Sequence, residues 1–380
     1  MQPKQLFKIA SVLLCYFVMG FVDIVGVSTG YAQRDFDLSP ELSQLIPSMV
    51  FVWFFVLSIP VGVLQNNYGK RKLLLIGIFI TAIGMFLPFI LYTYGSLLAC
   101  FVLLGVGNTI IQVSVNPLLQ EVVSKSNFSS FMSLSQFIKA ISSLLGPVLV
   151  TFMVGWMSDW KYVLIFYGVT AVLCGLWLAL TPVQETRCEE RASFKTALAL
   201  LKNRFIACMV LAIFLIVGLD VGMNTNIQNL LVRKFDVSLE NASLGISVYF
   251  LALMISRFAG ALILARVDTV KFLWWSAVLT VGSLILTILA PSPLSASVFI
   301  FMTGLSSGNL FPLIFSITIG KYPERSSEIS GLMIMAVVGG AVIPPLMGVV
   351  NNYFGVSWSF GVLLIGALYV LGAYFIIKSN

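Results

Sequence analysis

The sequence predicts an all-α membrane protein of twelve transmembrane helices. Composition is the first observation behind this. The 380 residues are 59% hydrophobic and only 10% charged, with a mean hydropathy of +1.01. A soluble domain is about 25% charged and 45–50% apolar, so this chain needs lipid as its solvent. Segment length is the second. Twelve apolar stretches reach the roughly 20 residues that cross about 30 Å of hydrocarbon. They run at 6–30, 43–65, 73–93, 96–122, 130–154, 161–181, 204–231, 240–265, 270–290, 294–320, 329–351 and 356–377. Helices are expected because a helix satisfies its own backbone in lipid, and the alternation of a membrane barrel is absent. The first stretch is too long for a signal peptide and lacks a small-residue cleavage site, so it is expected to remain as span 1.

Charge sets the expected orientation. The even-numbered loops and both termini carry sixteen Lys and Arg, while the opposite side carries Arg34, Lys161, Arg233 and Lys234. Basic loops stay cytoplasmic, so both termini are expected inside. The net charge of +7 follows from this asymmetry and from attraction to anionic lipid, and no nucleic-acid partner is implied. Trp156, Trp160, Trp274, Trp275 and Trp358 lie near span ends and read as interfacial anchors. The five cysteines show no metal or disulfide spacing, and there is no His. No phosphate-binding loop suggests ATP use. Neither an enzyme nor a cofactor is expected.

One polar segment divides the chain. Residues 182–203 read as a cytoplasmic linker between bundles of six helices at 1–181 and 204–380. The halves show a weak repeat. Gly20–Asp23 meets Gly218–Asp220, Ser58–Gly62 meets Ser256–Gly260, Asn116–Leu118 meets Phe311–Leu313, and Pro147 meets Pro345, at offsets of 195–198.

Asp23, Lys139, Asp220 and Arg257 stand inside apolar stretches. A charge near mid-bilayer costs about 2.5–3.5 kcal/mol on insertion scales and marks a site where something is bound or moved. The repeat pairs Asp23 of span 1 with Asp220 of span 7, and Gln112 of span 4 with Asn309 of span 10. These four are expected to line one cavity. Gln136 shares a face with Lys139, and Asn224 and Gln228 share the face of Asp220. Amides and acids at mid-depth suit hydroxyl-rich ligands, since a sugar hydroxyl both donates and accepts. Trp53 reads either as core or lipid packing or as an apolar face for a sugar ring. Asp23 reads either as a proton carrier or as a fixed ion pair with Lys139. Lys139 reads either as a counter-ion or as a substrate contact, which leaves an acidic sugar open. Arg257, nearer the expected cytoplasmic end of span 8, reads as a snorkelling residue or part of an inner gate. Gly331, Gly339, Gly340 and Pro344–Pro345 in span 11 read as close packing and a helix break.

Gly62-Val-Leu-Gln-Asn-Asn-Tyr-Gly69-Lys-Arg71-Lys resembles the loop signature of the major facilitator superfamily, with Asn66 where that family usually has an acid. Val115-Asn-Pro117, Ser256-Arg-Phe-Ala-Gly260, Phe311-Pro-Leu-Ile-Phe-Ser316 and the span 11 segment Ser330–Pro345 resemble the fucose–galactose–glucose:proton symporter family. The resemblance implies uptake of a monosaccharide with a proton by alternating access, in a bacterial inner membrane, by a monomer. It implies proton-coupling roles at Asp23 and Asp220, a sugar contact at Gln136, and gating by the loop that holds Gly62, Gly69 and Arg71. Two departures accompany it: Gln112 replaces a glutamate, and Lys139 replaces a neutral polar residue. An exporter or facilitator of another small solute, and a sensor on the same fold, remain as alternatives.

Overall fold

Every expected stretch forms a helix in the computed structural model, which describes residues 3–25, 28, 31–32, 35–38, 45–185, 194–237 and 239–379. Arg34, Cys188 and the side chain of Gln228 lie outside the described residues. The twelve spans are Gln5–Ile24, Met49–Tyr68, Lys70–Ile90, Tyr94–Val122, Lys125–Met157, Tyr162–Leu180, Arg204–Ile227, Gly245–Ile263, Thr269–Leu289, Pro293–Lys321, Pro323–Phe354 and Val356–Lys378. Each is long enough to cross the bilayer, and the chain is a multi-pass integral membrane protein.

Among the described residues, spans 1, 10 and 11 are interrupted within or near the end of the span. Span 1 is α-helical to Met19 and tightens into a 3-10 turn over Gly20–Ile24, which carries Asp23. Span 10 is two helices, Pro293–Ser307 and Leu310–Lys321, meeting at Gly308 and Asn309. Pro312 lies four residues after Gly308 and has no N–H, so the Gly308 carbonyl loses its helical donor. Span 11 comprises Ser326–Met335, a 3-10 turn at Ala336–Val338 and Gly339–Phe354. The break expected at its glycines and prolines thus falls just before Gly339. Pro344 and Pro345 stay inside the following helix.

The linker carries helical structure of its own near its end. Phe194–Ala199 is helical and Leu200–Lys202 a 3-10 turn. The run Phe-Lys-Thr-Ala-Leu-Ala favours a helix, and it buries Ala197. Asn203 then caps span 7, its side chain accepting from the N–H groups of Phe205 and Ile206.

The structure packs as two compact units. One contains Met1–Lys125, Ser135–Ala197 and Tyr322–Met335; the other contains Ser126–Leu134, Leu198–Lys321 and Ala336–Asn380. Two short segments therefore pack with the opposite sequence half: the start of span 5 and the start of span 11. In the first unit, spans 2 and 11 meet at glycine. A Cβ on Gly331 would stand 2.7 Å from the Ser58 carbonyl oxygen, and one on Gly62 would stand 2.8 Å from that of Ser327. Only glycine permits so close a backbone approach. In the second unit the start of span 5 is held by hydrogen bonds. Ser130 donates to the Ala261 carbonyl, Ser129 bonds Ser316 at 2.9 Å, and Ser133 contacts Arg257 and Asn309.

Trp160 corrects a further expectation. Unlike Trp156, Trp275 and Trp358, which are exposed, it is fully buried. Its indole N–H donates to Asp35 at 2.9 Å, and Tyr92 donates to the same oxygen at 2.7 Å. A buried tryptophan needs a partner for its N–H, and the exposed carboxylate of Asp35 supplies one here.

Candidate functional site

In the first unit the acid of span 1 sits on the 3-10 turn, exposed, and accepts a hydrogen bond from Ser143. Ser143 also bonds the Lys139 carbonyl one turn back along span 5, at 3.0 Å. The fixed Asp23–Lys139 ion pair is not formed, and Lys139 makes no ion pair among the described residues. Ser143 was legible only as the residue four positions after Lys139.

Gln112 is buried, and its amide donates to Asn108 Oδ1 at 2.8 Å, one turn earlier on span 4. Asn108 in turn donates to the Met19 carbonyl at 2.8 Å, and Tyr16 donates to Asn116 at 2.8 Å. This ladder of amides fastens span 1, just before Asp23, to span 4. Asn108 was missed by sequence reasoning, although its spacing from Gln112 places both on one helix face.

Gln136 and Trp53 differ from these. Gln136 is 5% exposed, and its Nε2 has no partner among the described residues; the same holds for the indole Nε1 of Trp53. Leaving a buried donor unsatisfied costs about 1–3 kcal/mol, and such groups in a native structure call for an explanation. Both belong to the unit that holds Asp23.

The second unit brings three expected residues together. Asp220 accepts from Tyr249 at 3.0 Å and faces the Arg257 guanidinium at 3.9 Å. Arg257 does not snorkel: its Nε donates to the Gly308 carbonyl at 3.3 Å, the acceptor that Pro312 leaves free. Asn309, the next residue, donates to the Ser256 carbonyl at 2.6 Å and to its hydroxyl at 2.9 Å. Ser133 touches both the Asn309 side chain and the Arg257 carbonyl. Tyr249 and Ser133 were not singled out in the sequence. Tyr249 lies eight residues before Arg257 on the same helix, a spacing that returns to one face. Asn224 is half-buried on span 7, whereas its neighbour Asn226 is buried and donates to the Gly222 carbonyl at 3.1 Å.

The loop between spans 2 and 3 is built around borrowed acids. Gly69, with φ +92°, starts span 3 in a conformation that favours glycine. Glu185 from the linker takes the open end of that helix, accepting from the N–H groups of Lys70 and Arg71 at 2.5 and 3.1 Å. A carboxylate is favoured there by the helix dipole. The Lys70 ammonium pairs with Glu121 of span 4, and Arg71 donates to the Leu178 and Ala179 carbonyls at 3.2 and 2.6 Å. Asn66 is uncharged and its Nδ2 is buried without a partner among the described residues, and the acids of this loop network come from span 4 and the linker instead.

The geometry is that of two acid sites on matching spans, with helix breaks and proline-freed carbonyls beside them. Comparison with known proteins agrees. The family model of the Major Facilitator Superfamily matches residues 12–228 and 209–379. A glucose/galactose transporter of Brucella abortus biovar 1 (strain 9-941) is 24% identical, over 97% of this chain and 93% of that protein. The L-fucose-proton symporter of Escherichia coli (strain K12) is 20% identical, over 85% of this chain and 82% of its own length. The crystal structure of the transporter FucP in the outward conformation superposes with a TM-score of 0.87 at 18% identity, covering 98% of this chain and 99% of that one. With both halves matched by the family model and the fold matched throughout, the chain belongs to the Major Facilitator Superfamily.

Proposed function

We propose that the protein is a secondary active importer of a monosaccharide of the fucose or hexose type, driven by proton symport through alternating access. The observation that carries this reading is the pair of buried donors without a partner among the described residues, Gln136 Nε2 and Trp53 Nε1, in the unit that holds Asp23. A sugar hydroxyl accepts from such donors and returns a donor of its own. The sugar cargo of the Brucella and Escherichia relatives supports the same cargo class.

Asp23 is assigned the proton. It is exposed on its 3-10 turn and held by a hydroxyl rather than by a cation among the described residues. Protonation turns its carboxylate from acceptor into donor without stranding an opposite charge. Asp220, with Arg257 and Asn309, forms the second contact region, joined by Asn224 and Gln228. Gly62, Gly69, Arg71 and Arg257 serve the gate. Both termini are placed in the cytoplasm of a bacterial inner-membrane protein by the sixteen-to-four bias of basic residues, and the working unit is the monomer.

The test is uptake into proteoliposomes with an imposed pH gradient, across neutral, amino and acidic sugars. Gradient-driven accumulation of a neutral hexose or deoxyhexose is the expected result. Equal uptake with and without the gradient removes the symport reading. A second reading has one observation behind it: Lys139 makes no ion pair among the described residues. A free ammonium at the site suits a sugar acid. Competition by uronic acids that matches or exceeds competition by neutral hexoses decides for it.

A further inference from the structure

The second unit carries a groove where span 8 ends beside the start of span 5. Its cavity is about 810 Å³, walled by Phe131, Leu134, Phe258, Leu262 and Val267, with Arg266 also lining it. Phe258 and Leu262 are open, at 47% and 61% exposure. Lipid-facing apolar residues are ordinary in a transmembrane helix, but this surface is concave and includes a cation. Arg266 is exposed and makes no ion pair among the described residues. The nearby Asp268 is already engaged as the cap of span 9, its side chain accepting from the Lys271 N–H at 2.9 Å. Lys271 adds a second exposed cation beside the cap.

We infer that this groove holds one anionic phospholipid. One acyl chain lies between Phe131 and Phe258, and the phosphate rests on the Arg266 guanidinium. The apolar depth suits a hydrocarbon chain and excludes a soluble ligand of comparable size. The planar guanidinium matches a phosphate in two-point geometry. Charge complementarity selects the anionic headgroup, because basic pockets between membrane helices hold such lipids. The position has a consequence. The groove runs along the joint where Ser130 and Ser133 bond the Ala261 and Arg257 carbonyls, so a chain lying in it braces the start of span 5 against span 8.

The test is native mass spectrometry of the delipidated full-length protein, titrated with phosphatidylglycerol, with phosphatidylcholine of the same chains, and with glycerol phosphate. One phosphatidylglycerol is expected to be retained in preference to phosphatidylcholine, and glycerol phosphate not at all. Arg266→Gln lowers that retention about fivefold, the loss expected for one basic residue near a lipid surface. Ala265→Phe fills the groove and removes it, while Lys378→Gln leaves it unchanged. Equal retention of the two lipids overturns the proposal. So does unchanged retention in both groove variants, or binding of glycerol phosphate as tight as that of the lipid.

Discussion

Asp23 and Asp220 occupy matching places in the two sequence halves, yet their surroundings differ. Asp23 has a hydroxyl, Ser143, and Lys139 on span 5 makes no ion pair among the described residues. Asp220 has a phenol and a guanidinium, Tyr249 and Arg257. A proton placed on Asp220 strands the charge of Arg257; a proton placed on Asp23 strands nothing. The same contrast recurs in the proline-freed carbonyls. Pro117 has no N–H for the Val113 carbonyl, which accepts instead from the Ser330 hydroxyl at 2.7 Å. Pro312 frees the Gly308 carbonyl, which accepts from Arg257. One unit answers these needs with neutral donors, and the other with a charged network. A repeat can thus keep its acids and prolines while the partners of the acids and of the freed carbonyls differ between the copies.

The largest expected effect tests that division. One charge moved through 100 mV supplies about 2.3 kcal/mol, or roughly 50-fold accumulation. Asp23→Asn is expected to abolish accumulation of labelled sugar in proteoliposomes while counterflow exchange persists. Asp220→Asn is expected to weaken both together, because it disturbs a binding network rather than a proton site. Full uphill uptake by the Asp23 variant, or preserved exchange with lost accumulation only in the Asp220 variant, reverses the assignment.

The next effect lies where the starts of spans 5 and 11 cross to the opposite sequence half. Gly331 and Ser133 are 198 residues apart, near-equivalents in the repeat. Gly331 stands against the Ser58 carbonyl with no room for a Cβ, whereas Ser133 joins by hydrogen bonds. Gly331→Val is expected to destabilise the protein by about 2–3 kcal/mol, at the upper end of overpacking costs. Ser133→Ala is expected to cost about 1 kcal/mol. Melting in detergent, read by exposure of the buried thiols Cys15, Cys100, Cys174 and Cys208, ranks the two. Equal losses remove the distinction between a seam made of backbone and one made of side chains.

A smaller effect concerns the ion pair. Asp220 is 39% exposed and Arg257 15%, so the roughly 3–5 kcal/mol lost on breaking a sealed pair is reduced by solvent screening. Arg257→Gln is expected to cost about 1–2 kcal/mol. The double variant with Asp220→Asn is expected to recover part of that, since neither charge is then left alone. Additive losses in the same melting assay show that the two groups do not interact.

Much of this was legible in the chain, for a physical reason. Each span satisfies its own backbone, so length and apolarity suffice to find all twelve. Asp23 and Asp220 announce themselves because charge is rare in such runs. Pairing across spans was not legible. Arg257 lies 37 positions after Asp220, and no spacing rule tells a guanidinium that snorkels from one that turns inward. Trp160 misled for the same reason, since its acceptor Asp35 is 125 residues away in sequence. Gln112 reads as a free amide until Asn108 is seen to hold it. Glu185 looked like one charge in a polar linker, although it caps the start of span 3. The prolines were partly informative: each identifies the carbonyl it frees, four residues earlier, but not the side chain that takes it.

That last point yields the smallest and most specific prediction. Hydrogen bonds between membrane helices average about 0.6 kcal/mol, so Ser330→Ala is expected to cost about that much. Pro117→Ala restores an N–H that competes for the Val113 carbonyl through the ordinary helical bond. In that background the Ser330 hydroxyl has lost its privileged acceptor, and Ser330→Ala is expected to cost close to nothing. The cycle therefore gives a coupling of about 0.6 kcal/mol between a proline and a serine more than 200 positions apart. The same cycle at Pro312 and Arg257 is expected to give a larger coupling, because a charged donor there loses its acceptor while still facing Asp220. If the two couplings match, the neutral and charged units differ only in residue type, and the difference argued from Asp23 and Asp220 does not extend to the helix breaks.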